Sequence, residues 1–248
     1  GKDAGRQYYT ANQNVLVGYS AGEYIGIGSN SAQHTTAIGM NAGKYATGSN
    51  NTFVGSYAGY GGTTGAPYSS GENNVAMGFE ALKVFTTGGH NVAIGYRSGL
   101  DLTTGNYNTF LGRESGFEVT TNEGSVFLGY QAGKNTKGDY HYNIAIGMQA
   151  LSGVHTGAGT IAIGYKSAEA LTSGTGNVVI GDRAGDAMTD NAANTILGTL
   201  AFSGADSGES YNVVIGNSAG GSINNADSDS NVIMGYNAGH GGTGELDR

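Results

Sequence analysis

The sequence predicts an all-β fold, a parallel β-solenoid of about 13 short coils. One observation behind this prediction is a glycine that recurs along the chain at nearly even spacing. These repeat glycines are Gly18, Gly39, Gly55, Gly78, Gly95, Gly112, Gly129, Gly147, Gly164, Gly181, Gly198, Gly216 and Gly235. From Gly78 to Gly198 each step is 17 or 18 residues. A fixed period of this length is typical of stacked repeats in which each unit contacts only its neighbours.

The second observation is that three apolar or Thr residues precede each repeat glycine. Examples are Val92-Ala93-Ile94, Thr109-Phe110-Leu111 and Val126-Phe127-Leu128. These triplets are rich in β-branched and aromatic residues and are bounded by Gly, Asn and Thr, so they predict strands. In a triplet such as Val92-Ala93-Ile94 all three positions are apolar, and Phe110 and Phe127 are the middle residues of two further triplets. Apolar side chains on both sides of a strand predict that both strand faces are covered. A coil this short covers one face, and the other requires a partner outside the coil.

An Asn or a substitute stands before each triplet. The column contains Asn14, Thr35, Asn51, Asn74, Asn91, Asn108, Ser125, Asn143, Thr160, Asn177, Asn194, Asn212 and Asn231. Stacked at the strand spacing of about 4.8 Å, these side chains can form a hydrogen-bonded ladder. We therefore assign Asn91 and its equivalents to the scaffold.

Small residues mark the bends. Ala or Ser, such as Ser98, follows every repeat glycine by three residues, Gly95 among them, and only a small side chain fits a tight bend. Three residues before the Asn column, several copies share residues that tolerate positive φ, which predicts a left-handed corner there. These residues are Gly48, Gly71, Gly88, Gly105, Asn122, Gly157, Gly174 and Asn191.

Composition supports one ordered repeat unit. The 248 residues include 47 Gly and only 12% charged residues, yet 38% are hydrophobic and evenly placed, which is enough for a continuous core. The net charge of −8 argues against nucleic acid and anionic membranes as partners. No apolar stretch approaches the length of a membrane span, so no membrane insertion is predicted. There is no Cys, and we predict no metal and no cofactor.

The predicted organisation is a lead-in over residues 1–13, the repeat solenoid over residues 14–239 and a lead-out over residues 240–248. The longest interval runs from Gly55 to Gly78 and contains Tyr60, Pro67 and Tyr68. Because insertions in solenoids form loops on one face, often the binding face, these three residues are the predicted receptor site. Deleting residues 61–70 is predicted to preserve the fold and weaken adhesion.

Other chemistries have weaker support. The five histidines could bind a metal, but they lie in different coils without zinc-motif spacing. Acid pairs that could cleave a polysaccharide are Glu114 with Glu118, Asp182 with Asp186, and Asp206 with Glu209. Asp227 and Asp229 could bind calcium but lack the pattern of calcium β-rolls. Thr pairs, as at Thr103-Thr104, raise the possibility of an ice-binding face that later copies interrupt. We predict that the chain is not an enzyme.

The unit Asn-Val-Ala-Ile-Gly-Tyr-x-Ser/Ala-Gly, followed by Thr-Gly and the next Asn, carries a family resemblance. Over about residues 14–239 it resembles the head repeats of YadA-type trimeric autotransporter adhesins and, more closely, the repeat tracts of phage tail-fibre proteins. The adhesin repeats are shorter, which favours the fibre type. The resemblance implies a left-handed β-roll, three chains packed around one axis, and attachment to surfaces.

Together these features predict a structural and receptor-binding segment of a homotrimeric phage tail fibre, located on the virion. Its expected partner is a bacterial cell-surface receptor, and the negative net charge favours a neutral or polar ligand such as a glycan. The alternatives are the head of a bacterial surface adhesin, located on the bacterial cell surface, and a polysaccharide-degrading, tailspike-like enzyme.

Overall fold

The fold is described by a computed structural model over residues 1–7, 11–27, 32–62, 68–137, 141–225 and 227–239. These residues form short strands joined by turns, in two compact units, Gly1–Ser125 and Val126–Arg248. We call one strand, together with the segment that leads to the next strand, a coil. The predicted parallel β-solenoid is confirmed.

In the first unit each strand pairs in parallel with the next one along the chain, so that successive coils stack in sequence order. The register matches equivalent repeat positions, as in Ala93 opposite Phe110. The strands are β1 (Val15–Val17), β2 (Thr36–Ile38), β3 (Thr52–Val54), β4 (Val75–Met77), β5 (Val92–Ile94) and β6 (Thr109–Leu111).

The second unit repeats this arrangement, again with parallel pairing between consecutive strands. Its strands are β7 (Val126–Leu128), β8 (Ile144–Ile146), β9 (Ile161–Ile163), β10 (Val178–Ile180), β11 (Thr195–Leu197), β12 (Val213–Ile215) and β13 (Val232–Met234). All the strands match the predicted triplets residue for residue.

The middle residue of each triplet points into the coil. Phe53, Ala93, Phe110 and Phe127 are completely buried, whereas the first and third residues of the same strands remain partly or largely exposed. This alternation follows from the pleat, which sends successive side chains to opposite faces of a strand. A single chain therefore covers one strand face only.

Side-chain sizes within a coil compensate each other. In β3 the middle residue is Phe53, and its ring fills the space where a Cβ at Gly59 would lie. In the next coil the middle residue is Ala76, and the large buried residues are instead Leu82 and Phe85. Large and small residues thus exchange places between coils, which keeps a narrow interior filled.

The repeat glycines are required for two reasons at once. Gly78 has φ 133°, and a Cβ at this position would lie 2.5 Å from the carbonyl oxygen of Gly95 in the next coil. Glycine is therefore the residue that allows both the backbone conformation and the close stacking of coils.

A left-handed residue lies directly before the Asn column, as at His90 with φ 59°, and the prediction of one three positions before the column is wrong. The glycines predicted there, such as Gly88, do not have positive φ, and neither do Asn122 and Asn191. A Cβ at Gly88 would lie 2.5 Å from the Gly105 carbonyl oxygen, so close backbone approach explains the glycine.

A second set of left-handed residues lies two positions after each repeat glycine, with φ between 48° and 59° even though none of them is Gly. Arg97 is one example, and its N–H donates to the Phe79 carbonyl 2.9 Å away in the preceding coil. We infer that such intercoil hydrogen bonds offset the cost of this conformation.

The Asn ladder is confirmed. Most of the hydrogen bonds between its residues run from a backbone N–H to a side-chain Oδ1, and fewer join two side chains. The backbone N–H of Asn91 donates to Asn74 Oδ1 at 3.0 Å, and the N–H of Asn108 donates to Asn91 Oδ1 at 2.9 Å. The Asn91 side-chain amide also donates to the Gly105 carbonyl at 2.8 Å. Asn91 is fully buried, so the ladder ties each strand entry to the coils around it.

The first residues of the chain join the stack, a feature that the sequence analysis missed. Gly5 and Gln7 donate backbone hydrogen bonds to Ala21 and Glu23, and Ser20 donates to Lys2. A Cβ at Gly1 would overlap the Gly18 backbone, as between successive repeat glycines. The signal was available, because Gly1-Lys-Asp-Ala-Gly5 matches the Gly-x-x-Ala-Gly spacing of the coils.

Candidate functional site

The outward positions of the strands form an uncharged apolar surface on each unit. We define the strand face of a unit as the first and third residues of its strands, among them Val92 and Ile94. These residues are Val, Ile, Leu, Met or Thr throughout. Val17, Leu111 and Leu197 are 54%, 46% and 47% exposed. A continuous apolar surface of this kind is typical of protein interaction sites.

The residues that follow the repeat glycines add further exposed apolar side chains. Tyr19, Met40 and Phe79 are 41–50% exposed in the first unit, and Tyr130 is exposed in the second. The predicted structural residues Gly95 and Ser98 lie in the same turn but face the stack. The Ser98 hydroxyl donates to the Phe110 carbonyl at 3.0 Å in the next coil.

Two of the predicted receptor residues lie within a group of aromatic rings, and Pro67 lies outside the described residues. We call this group the aromatic row. Its members are Tyr24, Tyr45, Tyr57, Tyr60, Tyr68, Phe79 and Tyr96, all in the first unit.

The rings follow one another across five consecutive coils. Centroid distances are 4.9 Å from Tyr24 to Tyr45, 5.0 Å from Tyr45 to Tyr60, and 5.3 Å from Tyr60 to Tyr57. They continue at 6.4 Å from Tyr57 to Phe79 and 5.6 Å from Phe79 to Tyr96.

Tyr68, from the long interval, packs against both Tyr24 and Tyr45 at 5.3 and 5.2 Å. Tyr24 and Tyr45 were missed in the sequence because they lie in ordinary coils and not in the insertion. The available signal was their alignment, since each follows its repeat glycine by six residues.

Charged side chains accompany the aromatic row. Glu23 lies 3.3 Å from Lys44 and 3.8 Å from Arg6, and Glu80 lies 2.6 Å from Lys83 and 2.7 Å from Arg97. The cations also approach ring faces. Lys44 lies 5.4 Å from the Tyr45 centroid, Lys83 lies 5.5 Å from that of Tyr57, and Arg97 lies 5.1 Å from that of Tyr96.

These surroundings fix the charge states. Burial acts to raise the pKa of Glu80, but hydrogen bonds from Lys83 and Arg97 outweigh it, and the pKa lies below its ordinary value. Burial raises the pKa of Tyr45, and its hydrogen bond with Tyr60 raises it further. At neutral pH the Glu80 carboxylate is therefore ionised and the Tyr45 phenol is protonated.

The long interval is more firmly attached than the sequence suggested. The hydroxyl of Ser69, which is buried, accepts the Gly62 N–H at 2.7 Å and donates to the Phe85 carbonyl at 2.6 Å. Its carbonyl accepts the Thr47 N–H at 2.7 Å. The deletion of residues 61–70 stays a prediction, but these hydrogen bonds from Ser69 to the coils on both sides argue that it would destabilise the fold.

The candidate acids for catalysis lie in different environments. Glu209 is completely buried and accepts a hydrogen bond from the Asn191 amide at 2.7 Å, while burial raises its pKa. Burial also raises the pKa of Asp186. Glu114 lies 3.4 Å from Arg113. Glu209 thus belongs to the coil interior.

The acidic residues considered for calcium binding include Asp229, whose carboxylate forms a hydrogen bond within the stack. Asp229 accepts the Ser210 N–H at 2.7 Å in the preceding coil. Among the side chains that the structure describes, no group of three or more His, Asp or Glu could hold a metal ion.

The Thr residues form an intercoil ladder of their own. Thr86 and Thr103 each donate a side-chain hydrogen bond to the Thr carbonyl of the following coil, at 3.1 and 3.0 Å. Thr156 and Thr172 do the same in the second unit at 3.0 and 2.9 Å. These hydroxyls therefore stabilise the stack.

Searches for similar proteins found no match to this chain among protein-family models, curated proteins or solved structures. Within the described ranges, no helix is long and apolar enough to cross a membrane. The strand faces and the aromatic row are the surface features that point to a function.

Proposed function

We propose that this chain is a non-enzymatic, structural and receptor-binding segment of a homotrimeric phage tail fibre that attaches to a bacterial cell-surface glycan. The observation that supports it best is the uncharged, uncovered strand face. The repeat pattern adds support through its resemblance to fibre and adhesin repeats, which also implies a left-handed roll.

Further copies of the same chain fit the strand face best. Its two outward columns carry aliphatic residues, Met or Thr in every coil, so chains aligned in register would place apolar side chains against apolar side chains in coil after coil. Identical partners also close into a symmetric assembly. Apolar surface exposed to water costs about 25 cal/mol per Å². A trimer would bury the strand face and remove this cost.

Neighbouring residues of β6 provide a matched test of the trimer. Leu111→Asp places a charge on the strand face, where Leu111 is 46% exposed, and Phe110→Asp places the same charge in the coil interior. We expect the native chain to sediment close to 75 kDa, three times the 25.1 kDa of one chain. Leu111→Asp should give a folded monomer, because it affects only the interface. Phe110→Asp should abolish the circular dichroism signal of the strands, since no partner for the carboxylate lies inside the coil.

A native chain that sediments as a 25 kDa monomer would refute the trimer, and so would a Leu111→Asp variant that remains trimeric. Attachment is tested separately by binding of the purified native chain to bacterial envelope polysaccharide and to animal matrix protein. Preference for the polysaccharide supports the fibre, and preference for matrix protein would overturn it in favour of an adhesin head.

A further inference from the structure

The aromatic row has the dimensions of a polymer-binding surface. Rings of successive coils lie 4.9–6.4 Å apart, near the strand spacing of about 4.8 Å that sets the rise of each coil. Tyr57 and Tyr60 lie in the same coil, 5.3 Å apart, and connect the two parts of the row. The spacing between coils is comparable with the length of one pyranose unit in an extended polysaccharide. A linear chain of sugars could therefore follow the coils with its rings in step with the aromatic side chains.

The row also has the surfaces that sugars bind. Phe79 and Tyr96 are parallel within 13° and about 40% exposed, so ring surface is accessible in these two coils. The C–H groups on the face of a pyranose pack against the electron-rich face of such a ring. Toward Tyr24 and Tyr45 the rings are half-buried, and their phenolic hydroxyls add hydrogen-bonding groups.

The charges beside the row favour an acidic ligand. Glu23 is bracketed by Arg6 and Lys44, and Glu80 by Lys83 and Arg97. Each cluster contains two cations and one carboxylate and so has one positive charge in excess. In a chain whose net charge is −8, this excess lies directly beside the rings. A ligand carboxylate would complement it.

We propose that the aromatic row binds a linear acidic polysaccharide that lies along the coils of the first unit. Its sugar rings pack against the exposed rings of Phe79 and Tyr96, and its carboxylates pair with the excess charge of the Lys44 and Arg97 clusters. This inference rests on the proposed glycan attachment and specifies the site and the ligand class. Tyr68 belongs to the site because it packs on Tyr24 and Tyr45.

The test measures binding of the 248-residue chain to three linear acidic polymers, polygalacturonate, alginate and hyaluronate. Each polymer is paired with its carboxyl-reduced, neutral derivative. We expect at least one acidic polymer to bind, with its neutral derivative at least tenfold weaker. Raising the salt concentration from about 0.05 to about 0.5 M should weaken the binding, because salt screens exposed charge pairs.

Variants localise the site. Tyr96→Ala removes an exposed ring of the row and should weaken binding at least tenfold. The double variant Lys44→Gln, Arg97→Gln should remove most of the preference for the acidic form. The matched control is Tyr211→Ala, which removes an exposed tyrosine from the second unit and should bind as the native chain does. Circular dichroism and thermal unfolding establish that each variant is folded.

The proposal is overturned if none of the acidic polymers binds, if the neutral derivatives bind equally well, or if Tyr211→Ala weakens binding as much as Tyr96→Ala. Its failure differs from failure of the proposed function. A monomeric chain that binds the acidic polymer refutes the trimer alone, and a trimer that binds only neutral glycan refutes the acidic ligand alone.

Discussion

At the scale of single residues, the Asn column is the most demanding part of the repeat. Asn91 donates to Asn74 and Gly105 and accepts from both the backbone and the side-chain amide of Asn108. All of these groups are buried, so water cannot replace a lost partner. The cost of a substitution is therefore set by the groups left without a hydrogen bond.

Replacing Asn91 by Ala should destabilise the chain by roughly 2–5 kcal/mol, because several buried groups lose their partner together. Urea unfolding followed by circular dichroism measures the change. Asn91→Ser is the matched control, since Ser125 occupies this column in another coil, and we expect a smaller loss. Equal stability of Asn91→Ala and the native chain would show that the ladder does not stabilise the stack.

At the scale of one coil, the interior contains a titratable side chain, that of His155, in its neutral form. His155 follows β8 and is completely buried, at the position that Leu171 occupies in the next coil. Burial lowers its pKa from 6.5 to about 4. The imidazole is therefore neutral in the folded chain at pH 7.

This histidine should make the coil sensitive to acid. Because the folded-state pKa lies below that of the unfolded chain, the unfolded chain binds more protons between pH 6.5 and 4. Stability is therefore fully present above about pH 6.5 and falls as the pH decreases toward 4, by about 3 kcal/mol in total.

His155→Leu should remove this part of the pH dependence, as measured by urea unfolding at several pH values from 7 to 4. His90→Gln serves as the control because His90 is exposed, and it should keep the native pH dependence. An unchanged profile for His155→Leu would show that other groups cause the acid sensitivity.

At the scale of the whole molecule, each coil contacts its neighbours at equivalent positions, so stability is built up one coil at a time. Within the first unit the register between strands always matches the same repeat positions. Coils should therefore be removable in whole periods.

Excising residues 92–108 removes one period and joins Asn91 to Thr109 in the native register. We expect a folded chain with a native-like circular dichroism spectrum and a modestly lower melting temperature. Excising residues 92–99 removes about half a period, which places interior residues on the outside, and should unfold the first unit. A folded half-period variant would contradict the register argument.

The sequence alone determined the strands, the Asn ladder and the small residues at the bends. These features recur in every coil, and a pattern of buried and bounded residues at fixed spacing allows few other structures. The residues in the turns were harder to interpret. The glycines before the Asn column suggest positive φ, yet they are needed because a backbone carbonyl of the next coil lies where a Cβ would be.

The tertiary structure alone decided which strand face is covered and which side chains meet. Three apolar residues in a row do not reveal which of them points inward, and the pleat together with the coil interior assigns Phe110 inside and Leu111 outside. Likewise, Tyr24 and Tyr68 are far apart in sequence and become neighbours because the coils stack. Periodicity fixes the spacing along the chain, whereas contacts between coils depend on the path of the chain through the turns.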